Sequence, residues 1–107
     1  MYAIIAGPDN GLAEQLRERD AEVTTIDGLA DRPTLEEAGI LEADLFVCND
    51  ASQATAIPIA RDLNDDLRIV VYADDSVPEF VRGKRLLVID PDLLGPDAVA
   101  EELTAEG

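Results

Sequence analysis

The chain contains no histidine and no tryptophan, and it has one cysteine among its 107 residues. Without histidine, Ser-His and Cys-His catalytic pairs and zinc sites of ordinary composition are excluded. Cys48 lies inside an apolar run and has no second cysteine to pair with, which is typical of a packed thiol in a reducing compartment. No apolar run approaches the roughly 18 residues that a membrane-spanning helix needs, and no signal-peptide pattern is visible. We therefore expect a cytoplasmic protein without membrane insertion.

Basic residues are also scarce. The 24 acidic residues outnumber the 8 basic ones, which gives a net charge of −16, and Lys84 is the only lysine. No basic stripe exists to neutralise phosphates, so nucleic-acid binding is disfavoured. The repulsion between so many carboxylates is screened at molar salt, where the Debye length is about 3 Å. An acid excess combined with lysine depletion indicates a halophilic archaeal protein. An acidic mesophilic protein without a salt requirement is the alternative.

Five short apolar runs separated mostly by helical patterns indicate the fold. A length of 107 residues favours one domain, residues 1–107. Alternating strands and helices predict an α/β fold, a three-layer α/β/α Rossmann-like sandwich around a five-stranded parallel sheet. We expect the strand order 2-1-3-4-5, with the switch point between the first and third strands. The predicted strands are residues 2–7, 22–27, 43–48, 68–73 and 86–89, and the predicted helices are residues 10–19, 34–39, 51–64 and a last one opened by Pro96.

Capping signals predict several helix ends. Residues 34–37 have capping-box spacing and Gly39 is a C-cap signal, so a brief helix is expected between them. Residues 50–53 and 76–79 have the same capping-box spacing, the latter predicting one helical turn. Pro58 lies inside the third helical pattern, which either starts near residue 55, with the proline in its first turn, or kinks at the proline.

Each of the five apolar runs ends at or just before an aspartate. In a parallel sheet these ends share one edge, outside which the ligands of open α/β sheets bind. Three of these aspartates, near the switch point, are placed to hold Mg²⁺, which favours one or two carboxylates plus water. Alternatively the aspartates only cap helices and close turns, with Asp50 as the best example. The five residues are Asp9, Asp27, Asp50, Asp74 and Asp90, and the three near the switch point are Asp9, Asp50 and Asp74.

The turn after the first strand is compared with the dinucleotide fingerprint G-x-G-x-x-G. Counted from Gly7, the second glycine position holds Asp9 and the third holds Leu12, so the loop fits poorly. Asp27 follows Gly7 by twenty residues, which is the expected distance of a ribose-binding acid. The turn is therefore either a degenerate nucleotide loop or a simple connection between strand and helix.

A longer stretch of sequence carries a family resemblance. The segment Pro-Thr-Leu-Glu-Glu-Ala-Gly-Ile at residues 33–40, followed by Ala-Asp at 43–44, Asn-Asp at 49–50 and Ala-Arg-Asp-Leu at 60–63, resembles the TrkA-N or RCK nucleotide-binding domain of potassium-transport regulators. The resemblance runs along residues 2–103. It implies NAD or an adenine nucleotide bound by the glycine loop and by the acid after the second strand, where Gly7 and Asp27 carry over. It also implies a homodimer, because RCK-type domains pair.

The chain departs from that family just after the second strand. Asp27 leads almost directly into residues 33–40, where the family inserts a helix and a further edge strand. This shortening gives five strands in place of six. We expect a non-enzymatic regulatory or interaction module, whose partner is a nucleotide, a protein or a second copy. The candidate ligand-binding residues are Gly7, Asp9, Asn10, Asp27, Asn49 and Asp50.

A receiver-like or magnesium-binding domain is the alternative interpretation. Asp50 stands where the phosphoacceptor of a response-regulator receiver would be. The other receiver residues are missing, because Ser76 is shifted past two aspartates and no lysine follows the fifth strand. Phosphotransfer is therefore not expected. The basic residues at 82–85 either bind an anion or an acidic partner, or form a solvated turn.

Overall fold

The computed structural model describes residues 1–8, 10–73 and 86–105. Within them five parallel strands form one sheet in the order β2-β1-β3-β4-β5, which confirms the predicted fold class and strand order. β2 is added on one side of β1, and the later strands are added on the other side. The switch point therefore lies between β1 and β3. The strands are β1 Tyr2–Ala6, β2 Glu22–Ile26, β3 Leu45–Cys48, β4 Arg68–Tyr72 and β5 Leu86–Ile89.

Helices cover both faces of the sheet in the described residues. On one face α1 and α4 pack against the sheet and on each other, and on the other face α2 and α3 do so. The four α-helices are α1 Leu12–Arg17, α2 Arg32–Ala38, α3 Ala56–Leu63 and α4 Pro96–Ala105, and two short 3-10 turns span Ile40–Glu42 and Ala51–Gln53. None of the described helices is long and apolar enough to cross a membrane.

The three central strands are buried on both faces, which explains their almost continuous apolar sequences. Along β1, Ile4 packs into the core shared with α2 and α3, while Ile5 packs into the core shared with α1 and α4. The edge strands differ from them. Four of the five residues of β2 and three of the four residues of β5 are not fully buried.

The helix α2 begins two residues before its predicted start. Its N-cap is Asp31, whose Oδ1 accepts hydrogen bonds from the Thr34 amide at 3.0 Å and the Thr34 hydroxyl at 2.6 Å. These bonds hold the pKa of Asp31 below its ordinary value. The capping box predicted at residues 34–37 is therefore wrong, whereas the predicted cap at Gly39 is confirmed by its left-handed backbone, with φ of 89°.

The third helical pattern is divided in two. The 3-10 turn Ala51–Gln53 comes first, and α3 then begins at Ala56 with Thr55 before it. Pro58 consequently lies in the first turn of α3, where no intrahelical donor is lost, so the first of the two predicted alternatives is confirmed. The helical turn predicted at 76–79 lies outside the described residues.

Candidate functional site

The loops after β1 and β3 approach each other closely at the carboxyl edge of the sheet. Gly7 has a φ of 116°, and a Cβ atom there would lie 3.2 Å from both the Asn49 Cβ and the Asp50 amide nitrogen. The amide of Asn49 donates to the Ala6 carbonyl at 2.8 Å. Glycine is thus required for conformation and for space, and three predicted site residues, Gly7, Asn49 and Asp50, meet at this corner.

Two asparagine side chains join these loops. Asn49 Nδ2 donates to the Pro8 carbonyl at 3.1 Å and to Asn10 Oδ1 at 3.3 Å. The same Asn10 oxygen accepts from the Leu12 amide at 3.2 Å, at the start of α1. Asn49 Oδ1 is buried and has no hydrogen-bond partner among the residues that the structure describes. A buried acceptor in this condition is expected to have a donor from elsewhere, such as a bound ligand or water.

A small cavity of about 150 Å³ opens at this edge, between β1, β2 and α1. Three of the six predicted site residues, Gly7, Asp27 and Asn49, line it together. The carboxylate of Asp27 is exposed, so it can accept hydrogen bonds from a ligand. The full lining consists of Ile5, Gly7, Ala13, Arg17, Thr25, Asp27 and Asn49.

An open cleft of about 560 Å³ lies beyond the cavity. Thr25 and Asp27 line both spaces. The lining of the cleft is Thr24, Thr25, Ile26, Asp27, Gly28, Leu29, Thr34, Glu37 and Ala38.

The side chain of Gln53 fixes one wall of this cleft. Its Nε2 donates to the Gly28 carbonyl at 3.0 Å and its Oε1 accepts from the Ala30 amide at 3.3 Å. The predicted capping-box role of Gln53, toward Asp50, is therefore wrong. The glutamine instead holds the loop after β2 against the turn after β3.

Asp50 caps the 3-10 turn that follows it. Its Oδ1 accepts from the Ser52 amide at 3.0 Å, and its carbonyl accepts from the Gln53 amide at 2.9 Å. Asp90 likewise closes a turn, since its Oδ1 accepts from the Asp92 amide at 2.9 Å. These bonds confirm the capping interpretation for both aspartates. Neither aspartate lines the cavity or the cleft.

The predicted magnesium site includes residues whose positions are not described. Asp9 and Asp74 lie outside the described residues, as do the basic residues at 82–85, so their convergence with Asp50 stays a prediction. Over residues 1–8, 10–73 and 86–105, no group of three or more cysteine, aspartate and glutamate side chains is arranged to hold a metal ion.

Cys48 is a core residue at the end of β3. Its side chain is buried, and its Sγ lies 3.7 Å from the Gln53 carbonyl oxygen. Burial, together with the nearby Asp50 carboxylate, raises the pKa of the thiol to about 12. The thiol is therefore protonated at neutral pH, which fits the predicted packing role and does not favour nucleophilic chemistry.

Three residues near the site were not predicted from the sequence. Arg17 and Thr25 line the cavity, and Gln53 fixes the cleft wall. In the sequence, Arg17 has the pattern of a cation in the last turn of a helix. Thr25 has the pattern of a strand residue that faces outward. A signal for their role exists only in contacts between different elements of the fold, such as the 3.1 Å bond from Arg17 Nη2 to the Val23 carbonyl.

Comparison with known proteins places this chain in a sequence family. The profile of a family of unknown function, DUF7126, matches residues 3–103. The chain belongs to this family. No curated protein gives a significant match.

The DUF7126 chain also resembles a solved structure. A crystal structure of a candidate pilus assembly protein (cpaE) from Burkholderia thailandensis E264 superposes with a TM-score of 0.67 and 19% sequence identity. The match covers 98% of this chain and 96% of that chain. At this low identity the similarity shows a shared α/β fold and nothing about ligands or partners.

Proposed function

We propose that this chain is a non-enzymatic regulatory module that binds an adenosine-containing small molecule at the carboxyl edge of β1 and β2. The observation that carries the proposal is the cavity around Gly7, Asp27 and Asn49, which shares Thr25 and Asp27 with the lining of the larger cleft. The proposal agrees with the TrkA-N resemblance, in which an acid after the second strand binds a ribose.

The shapes of the two spaces support a nucleoside. The cavity of about 150 Å³ is smaller than the roughly 300–1,000 Å³ typical of whole ligand pockets, so it suits one sugar-sized group. The adjoining cleft of about 560 Å³, with Ile26 and Leu29 in its lining, leaves room for a base. A carboxylate that lines both spaces is placed to accept hydrogen bonds from ribose hydroxyls.

We propose no catalytic activity because the side chains available for catalysis are few. The sequence has no histidine, and the Cys48 thiol is protonated and buried. Of the described aspartates at this edge, Asp50 and Asp90 accept hydrogen bonds in turns and Asp27 is exposed. A binding role therefore fits these residues better than a reaction.

A titration in molar KCl tests the binding proposal. Adenosine, AMP, ATP and NAD are titrated into the protein, and the melting temperature and heat of binding are measured. We expect at least one of them to bind, and Asp27→Asn to weaken its binding by about tenfold, because a hydrogen bond to a charged group is worth about 1.5–3 kcal/mol. Asp65→Asn removes the same charge from an exposed position away from both spaces and should bind like the wild type. If none of the four compounds binds at millimolar concentration, the proposal is wrong.

We also propose that a second copy of the chain pairs with the β5 edge. Leu87 and Val88 are 49% and 44% exposed, and Leu93 and Leu94 in the next turn are exposed as well. All four residues of β5 are apolar, so two copies related by a twofold axis would meet there without bringing like charges together. The backbone groups of an edge strand are self-complementary in such a pair.

We assign the protein to the cytoplasm of a salt-accumulating halophilic archaeon. The net charge of −16 and the single lysine support this assignment. In molar salt the carboxylates are screened from one another, so the compact state is stable there in spite of its charge.

A further inference from the structure

A pocket of about 280 Å³ lies at the amino ends of β4 and β5, under the last turns of α4. This amino-edge pocket shares no lining residue with the cavity or the cleft at the other edge of the sheet. Its apolar wall includes Leu86, Leu87 and Leu103, and its charged residues are Arg68 and Glu102. The lining therefore has no net charge, in a chain whose net charge is −16.

An exposed leucine lies at the opposite end of β5. Leu93, in the turn after the strand, is 80% exposed. The amides of Leu93 and Leu94 donate to the Asp90 carbonyl at 3.0 and 3.1 Å, so the turn stays close to the end of β5. The Tyr72 hydroxyl donates to the Leu94 carbonyl at 2.6 Å, and the tyrosine packs in the core beneath α1 and α4. The turn and the amino-edge pocket are therefore on the same face of the sheet, because Leu103 of α4 packs in that core too.

Pairing of two copies through β5 brings these two features together. A twofold axis perpendicular to the sheet makes the two β5 strands antiparallel and leaves α4 of both copies on the same face. With Val88 on the axis, Leu86 lies opposite Asp90 of the second copy. The turn that carries Leu93 in one copy thus lies beside the pocket of the other, and the axis repeats this contact.

We infer that Leu93 of each copy inserts into the amino-edge pocket of the other copy. This inference rests on the proposed pairing through β5, to which it adds the side-chain contacts that hold the pair in one register. Charge favours a second copy as the occupant. Asp90 and Asp92 accompany Leu93 in its turn, and a lining that contains Arg68 and has no net charge accepts them better than an acidic surface does.

Sedimentation velocity in molar KCl measures the contribution of Leu93. We expect Leu93→Ala to raise the dissociation constant of the pair by at least tenfold, since both copies lose a buried leucine side chain. The same change removes few contacts within one copy, because the side chain is largely exposed there. Leu41→Ala is the matched control. Leu41 is 61% exposed in the 3-10 turn beside α2 and α3, so its truncation should leave the dissociation constant unchanged.

A disulfide between copies tests the geometry directly. Leu93→Cys and Glu102→Cys are prepared separately, mixed and mildly oxidised, and mass spectrometry identifies the bridged peptides. Each chain carries only one of the two new cysteines, and Cys48 is buried, so a bridge between positions 93 and 102 forms only between copies. We expect this bridge in the mixture. Leu41→Cys mixed with Glu102→Cys is the control and should give little bridged product.

The outcomes separate this inference from the proposed pairing. A dimer whose dissociation constant is unchanged by Leu93→Ala overturns the inference and leaves the pairing through β5 standing. A bridge from position 93 that is no more abundant than the one from position 41 also overturns it, since Leu93 would then not reach the pocket. If the wild type stays monomeric at high micromolar concentration, the pairing fails and the inference fails with it.

Discussion

The two edges of the sheet, β2 and β5, are stabilised in different ways, although each is fastened by one of the two tyrosines of the chain. At the β2 edge, the Tyr2 hydroxyl donates to the Ala38 carbonyl and shares a 2.6 Å hydrogen bond with Thr24 Oγ1. At the β5 edge, the Tyr72 hydroxyl donates to the Leu94 carbonyl at 2.6 Å. The first tyrosine connects the edge strand itself to α2, whereas the second connects β4 to the turn after β5.

The difference extends to the chemistry of the two edge strands. β2 carries Glu22 and two threonines, and Arg17 covers one of its carbonyls. β5 contains only leucine, valine and isoleucine. Charges and side-chain contacts at an edge prevent pairing with other chains, and an uncovered apolar edge invites it. This contrast is the reason why we propose a ligand at the β2 side and a second copy at the β5 side.

Lowering the salt concentration should have the largest effect. Below about 0.5 M KCl the −16 charge is less screened, and we expect the protein to unfold. The β2 side should open first, because Glu22, Asp27 and Glu37 lie there while β5 has no charged residue. Circular dichroism measures the unfolding, and hydrogen exchange compares the two strands. A melting temperature that does not change with salt would contradict the halophilic assignment, and equal exchange would contradict the contrast.

A charge placed on β5 should separate the two copies. Val88→Lys brings two like charges together across the proposed twofold axis, so we expect the dissociation constant to rise by more than about tenfold. Sedimentation velocity in molar KCl measures the change. Glu22→Lys, at the other edge, is the control and should leave the association unchanged. A wild type that stays monomeric at high micromolar concentration would refute the pairing through β5.

The two tyrosines provide a direct comparison of the edges. Tyr2→Phe leaves the Ala38 carbonyl and the Thr24 hydroxyl without this partner, so we expect a loss of about 1–2 kcal/mol in the free energy of unfolding. Tyr72→Phe removes the hydroxyl from one partner, the carbonyl of Leu94, in place of two, so the loss should be about 0.5–1 kcal/mol. Urea unfolding in molar KCl measures both values. A larger loss for the second variant would reverse the comparison.

These contacts also show what could be predicted from the sequence. The strand order was predicted from the alternation of apolar runs with helical patterns, and it is confirmed. Asp27 was predicted as a ribose-binding acid from its distance to Gly7, and it lines the cavity. The cap of α2 was predicted at Thr34 because residues 34–37 have capping-box spacing. Asp31 prevails since Pro33 then lies in the first turn, where its missing amide has no role.

The residues that the sequence did not reveal act through contacts between different elements of the fold. Gln53 reaches Gly28 and Ala30, and Arg17 reaches the backbone of β2. Each fits a local pattern equally well as a surface residue of a helix or turn. The cleft wall can be recognised only in the folded sheet, because the fold brings the ends of β2 and β3 to one edge.

The dependence of stability on pH reports on the burial of the Cys48 thiol. Its folded-state pKa is about 12, so the folded state disfavours the thiolate, and the stability that burial provides is complete below the ordinary thiol pKa and declines as pH rises toward 12. At pH 10 we expect the wild type to lose about 1 kcal/mol relative to pH 8, and Cys48→Ala to lose less.

Thiol labelling of Cys48 then connects this residue to the contrast between the edges. Cys48 packs in the core that also contains Ile26 and Leu35, from β2 and α2. Labelling at pH 8 should be slow in the native protein and faster in Tyr2→Phe than in Tyr72→Phe, because the first variant loosens the elements that cover this core. Equal acceleration in the two variants would mean that the thiol is exposed only by global unfolding, and that the two edges do not open independently.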